Sequence, residues 1–139
     1  MIQRRQTLWL LLATAAALLG FWFPFATGKI AEGPNMEKDV IIIAGENLFL
    51  LLLSGASVIL STIIIFLFKT RKLQAQLCIA GILLSAGLIA VYIMELGKTD
   101  SYVLALSAVL PFIVLISYLM AWRCIRKDEK LVRSLDKLR

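Results

Sequence analysis

The sequence predicts an all-α membrane protein, a four-transmembrane-helix bundle with a C-terminal amphipathic helix, and three observations carry the prediction. Of the 139 residues, 60% are hydrophobic and 17% charged, with a mean hydropathy of +0.88. A chain this short has too little polar surface to enclose so much apolar material in water. Four stretches reach the length of about 20 apolar residues that crosses a hydrocarbon layer, and the charges between them are unevenly shared between the two sides. No linker, low-complexity tract or repeat divides the chain, so residues 1–139 form a single domain.

The first span is expected over 7–26, without a charge and preceded by Arg4 and Arg5. The opening MIQRRQTLWLLLA has the look of a secretory or twin-arginine signal, but its apolar run ends in Phe21-Trp22-Phe23-Pro24-Phe25 rather than at a small-residue cleavage site. It is therefore read as a retained anchor. An outer loop follows over 27–47. Gly33-Pro34-Asn35 favours a turn and Val40-Ile41-Ile42-Ile43 favours strand, giving a small hairpin on the outer face or, alternatively, an extension of the second span by a turn or two.

The second span, 48–68, is uncharged, and the third, 77–96, carries Glu95 at its end. The fourth, 102–122, holds Pro111 near its middle, where a missing N–H is expected to kink the helix and free the Ser107 carbonyl. Arg4, Arg5, Lys69, Arg71, Lys72 and the seven cations after Trp122 place twelve of the fifteen Lys and Arg residues on one side. The positive-inside rule makes that side, with both termini, cytoplasmic. Trp9, Tyr118 and Trp122 then mark the inner boundary, and Trp22 and Tyr102 the outer one.

Helices in lipid associate through small residues and hydrogen bonds. Ala13, Ala16, Ala17 and Gly20 offer such contacts in the first span, Ser54, Gly55, Ser57 and Ser61 in the second. Gly81, Ser85, Ala86 and Ala90 do so in the third, Ala105 and Ala108 in the fourth.

Chemistry is sparse. No ionisable group lies at a span centre, which argues against a proton-coupled transporter and a voltage sensor. The chain has no His, and its two Cys, Cys78 and Cys124, are expected to be free thiols near the inner ends of spans. Glu46, Asn47 and Glu95 read as solvated groups at helix ends. No glycine loop, HExxH or nucleophile elbow occurs. The expectation is a non-enzymatic protein with no catalytic, cofactor-binding or metal-ligating residues.

The tail, 123–139, is the one informative segment. Placed on a helix at about 100° per residue, Cys124, Ile125, Leu131, Val132, Leu135 and Leu138 form an apolar stripe. Arg123, Arg126, Lys127, Lys130, Arg133 and Lys137 lie opposite. Such a helix can lie on anionic headgroups, bind nucleic acid or dock on protein. Nucleic acid is disfavoured, since no aromatic stacking residue follows Trp122. Asp128 falls inside the apolar stripe, where acyl chains would penalise a carboxylate. Its expected partner is a cation of the second loop, Lys69, Arg71 or Lys72, or one on another protein.

Both ends of the chain, MIQRRQTLWLLLA and AWRCIRKDEKLVRSLDKLR, resemble an uncharacterised family of small four-helix inner-membrane proteins from Bacteroidota, a domain-of-unknown-function family. The resemblance extends over the whole chain, and Ile125-Arg126-Lys127-Asp128-Glu129 is its distinctive part. It implies a Gram-negative inner membrane with a periplasmic outer face, and no activity. The function expected is an accessory subunit or adaptor of a membrane complex, docking through the tail to a membrane or cytoplasmic protein and to anionic headgroups. The alternative is a small transporter or channel-like carrier of apolar or amphipathic molecules, with Ser54, Ser57, Ser61 and Ser85 around a water-filled cavity.

Overall fold

The computed structural model describes residues 3–33, 36–67 and 70–136. Its elements are α1 (Gln3–Leu19), β1 (Ala26–Gly33), β2 (Met36–Ile42), α2 (Leu48–Phe66), α3 (Arg71–Leu96), β3 (Ser101–Leu104), a single 3-10 turn and α4 (Val109–Asp136). The fold is mostly helical, compatible with the expected all-α membrane class, and carries a small three-stranded sheet besides. Three of the helices are long and apolar enough to cross a membrane: those of α2, α3 and the stretch Leu106–Val132.

On α2 and α3 large aliphatic side chains face outward, and the serines lie among the buried residues. On α2, Leu50, Ser54, Ser57, Ser61 and Ile64 are buried, while Leu52, Ile59 and Phe66 are exposed. On α3, Gln74, Cys78, Gly81 and Ser85 point inward and Ile79 and Leu83 outward. Water would select the opposite arrangement. In hydrocarbon, leucine loses nothing by facing the solvent, and hydroxyls must find partners inside.

Several such partners are present. Thr14 donates to the Ser61 hydroxyl at 2.7 Å, which in turn donates to the Val58 carbonyl at 3.0 Å. Tyr118, fully buried on α4, donates to the Ser57 carbonyl at 2.9 Å. Its ring reaches α2 by crossing α3 at Gly81, where a built Cβ would stand 2.6 Å from the ring. Only a glycine leaves room for it.

α2 starts at Leu48 and α3 ends at Leu96, as expected, while three other helix ends depart from the sequence expectation for local reasons. α1 stops at Leu19, well short of Ala26, because Pro24 cannot continue it. α3 begins at Arg71, six residues before the expected Leu77, since nothing in 71–76 breaks a helix. α4 begins at Val109, so Pro111 sits in its first turn, where its missing N–H would have had no partner in any case. The expected mid-helix kink is thereby corrected, and the Ser107 hydroxyl bonds to the Pro24 carbonyl.

The loop over 27–47 does form a hairpin. β1 and β2 pair antiparallel from Ala26↔Ile42 to Gly33↔Met36, with an irregularity between Ala31 and Gly33. Pro34 and Asn35 of the expected turn lie outside the described residues. The other edge of β1 takes β3, from Ala26↔Leu104 to Lys29↔Ser101, in the sheet order β2-β1-β3. Residues 102–104, expected to open the fourth span, are strand. Gly28 permits the approach: a Cβ there would lie 2.9 Å from the Ser101 carbonyl oxygen.

Lys29 bonds to Glu37 across the hairpin at 2.6 Å. That bond, with the nearby charges of Glu37 and Asp39, holds its ammonium above the ordinary lysine pKa. Below the sheet, Phe25 stacks on Tyr92 with ring centroids 4.2 Å apart, joining β1's approach to α3.

Candidate functional site

The sequence directs attention to the tail, and the structure makes residues 123–136 of it the second half of α4. This helix has 28 residues, about 42 Å at 1.5 Å per residue, and runs unbroken to Asp136. Its buried face includes Val114, Ser117, Tyr118, Ala121, Ile125 and Asp128, recurring at helical spacings. Arg123, Arg126, Lys127 and Lys130 are exposed on the remaining faces. Arg126 lies one turn beyond Trp122 with its guanidinium carbon 5.4 Å from the ring centroid, a cation–π contact.

The expected apolar stripe divides in two. Ile125 is fully buried in the bundle, whereas Leu131 and Val132 are 45% and 41% exposed. The side chains of Arg133 and Leu135 are outside the described residues, as are Lys137 and Leu138.

Asp128 is 7% exposed, and its carboxylate accepts a hydrogen bond from the Gln6 side-chain amide of α1. Gln6 is itself buried at 7%. Among the described residues no ion pair links Asp128 to Arg71 or Lys72, and Lys69 lies outside them. Among the described residues the contact that Asp128 makes is with an amide from the first helix. Arg71 and Lys72 instead line an open groove with Thr70, Leu73, Gln76, Glu129 and Val132.

Gln6 was missed because nothing local marks it. It stands three residues after Gln3 in a polar N-terminal run, and only the antiparallel packing of α1 against α4 brings it to Asp128. That packing holds at both ends, since Ser107, before α4, bonds to Pro24, after α1.

The four serines proposed for a carrier cavity are all buried: Ser54, Ser57, Ser61 and Ser85. Ser85 returns its hydroxyl to the Ile82 carbonyl at 2.9 Å. The Ser57 and Ser117 hydroxyls have no hydrogen-bond partner among the described residues.

At the opposite end, Asn47 caps α2 by accepting from the Phe49 N–H at 3.0 Å. Its amide donates to Glu95 at 2.7 Å, and Lys98 pairs with the same carboxylate oxygen at 2.7 Å. Glu46 is exposed just outside the cap. Asn47→Ala removes both the cap and the tie to α3. An N-cap substitution of this kind costs about 1 kcal/mol, and a lowered thermal midpoint in detergent, with unchanged helix content at 20 °C (roughly ambient, well below typical midpoints), is the expected result. An unchanged midpoint would show that neither bond contributes.

Among the described residues no group of three or more His, Cys, Asp or Glu side chains could hold a metal ion. No curated protein and no solved structure matches this chain. Its sequence matches a domain of unknown function, DUF4293, over residues 2–138, nearly the whole length, and the chain belongs to that family.

Proposed function

We propose that the protein is a non-enzymatic adaptor or accessory subunit of a bacterial inner-membrane complex, docking through the end of α4. In this reading α1 is a fourth span. It is only 17 residues, about 25 Å, but it lies beside α4 from Asp128 at one end to Ser107 at the other. The excess of cations around Arg5, Arg71, Lys72 and the tail supports a cytoplasmic position for both termini.

The observation that carries the adaptor reading is the pairing of a rigid base with an open tip. Asp128 and Ile125 fasten α4 to the bundle, and directly beyond them Leu131 and Val132 are exposed among cations. A helix anchored in this manner presents its tip with little ordering cost on binding. The partner it suits has an apolar patch rimmed by acids. The carrier reading receives less support, because the buried serines face a space that the Tyr118 ring enters against Gly81.

Affinity purification in mild detergent tests the proposal with full-length protein and the variant Leu131→Asp/Val132→Asp. The expected result is a partner in fixed ratio with the wild type and absent from the variant, both having the same helix content. A well-folded wild type that retains no partner, or a partner held equally by both proteins, refutes docking through this tip. A chain ending at Arg123 is the poorer test, since it also removes Ile125 and Asp128 from the bundle.

A further inference from the structure

β3 lies at an edge of the sheet, with β1 on one side of it and no strand on the other. The Ala105 N–H, just past the strand, donates to the Phe25 carbonyl at 3.1 Å, and the Ser101 carbonyl oxygen lies beside Gly28. Backbone groups alternate in direction along an antiparallel strand. Ser101 and Val103 therefore turn their N–H and C=O groups toward β1, and Tyr102 and Leu104 turn theirs away from it. Among the described residues no backbone hydrogen bond from another element reaches Tyr102 or Leu104. The side chains are open as well: Tyr102, Val103 and Leu104 are 52%, 72% and 54% exposed.

The two edges of the sheet differ. β2, at the far edge, carries Glu37, Lys38 and Asp39, charges of the kind that keep an edge strand from pairing. β3 is Ser-Tyr-Val-Leu, without a charge or a proline. In water its apolar side chains lack cover, and in hydrocarbon its outward backbone groups lack partners. A strand laid along this edge supplies both, whichever solvent surrounds it.

We propose that this strand is β3 of a second copy of the chain, paired antiparallel across a two-fold axis at Val103. In that register Tyr102 stands opposite Leu104 of the second copy, and Leu104 opposite its Tyr102. All of these face outward, so each pair exchanges two hydrogen bonds. Val103, which shares the exposed sheet face of Thr27 and Ile41, meets its own copy, while tyrosine and leucine meet on the other face. No charge opposes a like charge along these strands. The sheet becomes continuous in the order β2-β1-β3-β3-β1-β2, and its charged ends stop further addition, so the contact closes as a dimer. A strand of another protein would use the same backbone groups, but the self-pairing follows from the spacing of outward residues in β3 itself. The inference is independent of the adaptor reading.

The test is disulfide trapping of the full-length chain in membranes, on a Cys124→Ser background that leaves only the buried Cys78. Val103→Cys is expected to give a covalent dimer under mild oxidation, seen on a non-reducing gel, because the facing Cβ atoms of such a pair stand about 5 Å apart. Ile41→Cys occupies the same exposed face, but its copy would be about 24 Å away across the intervening strands. It should be trapped roughly tenfold or more slowly, beyond the reach of disulfide geometry. Leu104→Pro, added to Val103→Cys, removes an outward N–H at an edge position that accepts proline and spares the bonds to β1. It should abolish the dimer. Equal trapping at Ile41 and Val103, no trapping at Val103, or trapping that survives Leu104→Pro in a folded protein overturns the proposal. So does a Val103→Cys adduct with a different protein in place of the dimer. Should Leu104→Pro fail to fold, the comparison of Val103 with Ile41 remains decisive.

Discussion

Gly81→Val is expected to lower the stability of the bundle by about 3 kcal/mol, the upper end for overpacking a filled core. Even the first added carbon would lie 2.6 to 2.9 Å from three atoms of the Tyr118 ring. That ring cannot simply turn aside, because it is fully buried and its hydroxyl is bonded to the Ser57 carbonyl of α2. The helices α3 and α4 must separate, or the ring must leave and abandon its bond. Thermal unfolding in detergent, followed by circular dichroism, should show the loss. Tyr118→Ala alone should also destabilise, by vacating the ring's volume. Combining the two should cost less than the sum of the single changes, because the valine then occupies space that the ring gave up. Strict additivity would mean that Gly81 and Tyr118 do not meet as described.

The second large effect is expected at the other end of α4. Gln6→Leu removes the donor from a buried carboxylate, and a hydrogen bond to a charged group contributes about 1.5–3 kcal/mol. Asp128→Leu removes the charge along with its desolvation cost and leaves an unpaired amide, a smaller loss. The double variant Gln6→Leu/Asp128→Leu places two apolar groups face to face, and should recover much of what Gln6→Leu lost. A double-mutant cycle on unfolding in detergent measures the coupling. A coupling near zero would show that the two side chains contribute independently. Proteolysis gives a second readout, since Gln6→Leu should expose the end of α4 to trypsin at Lys127 and Lys130 while the double variant protects it.

Much of the helical layout was legible because membrane spans are written in composition. An uncharged run from Leu48 to Phe68 has few alternatives to a helix in hydrocarbon, where each backbone group needs an internal partner. The placement of Asp128 within the buried face of the tail was legible from helical periodicity alone. Small residues were a less selective signal. Ala13, Ser57, Ser61, Gly81 and Ser85 are buried, but Ala86 and Ala90 are exposed. In lipid an alanine on the outer face carries no penalty, so nothing in the sequence separates one that packs from one that does not.

Strands were harder to read. Val40 to Ile43 and Tyr102 to Leu104 are short apolar runs compatible with helix or sheet, and local propensity does not arbitrate between them. β3 exists because β1 has a free edge beside it after α3 turns back, a circumstance more than 70 residues away in the chain.

The sequence by itself determined the solvent, the long apolar helices and the single cationic segment, since these follow from residue chemistry summed along the chain. Tertiary structure alone decided that Gln6 answers Asp128, that Gly81 admits the Tyr118 ring, and that Arg71 and Lys72 face Val132 across a groove. The physical reason is that a buried polar atom or a close approach is satisfied by whichever group the packing of helices delivers. That delivery depends on axial offset and rotation between elements, and no local pattern records either.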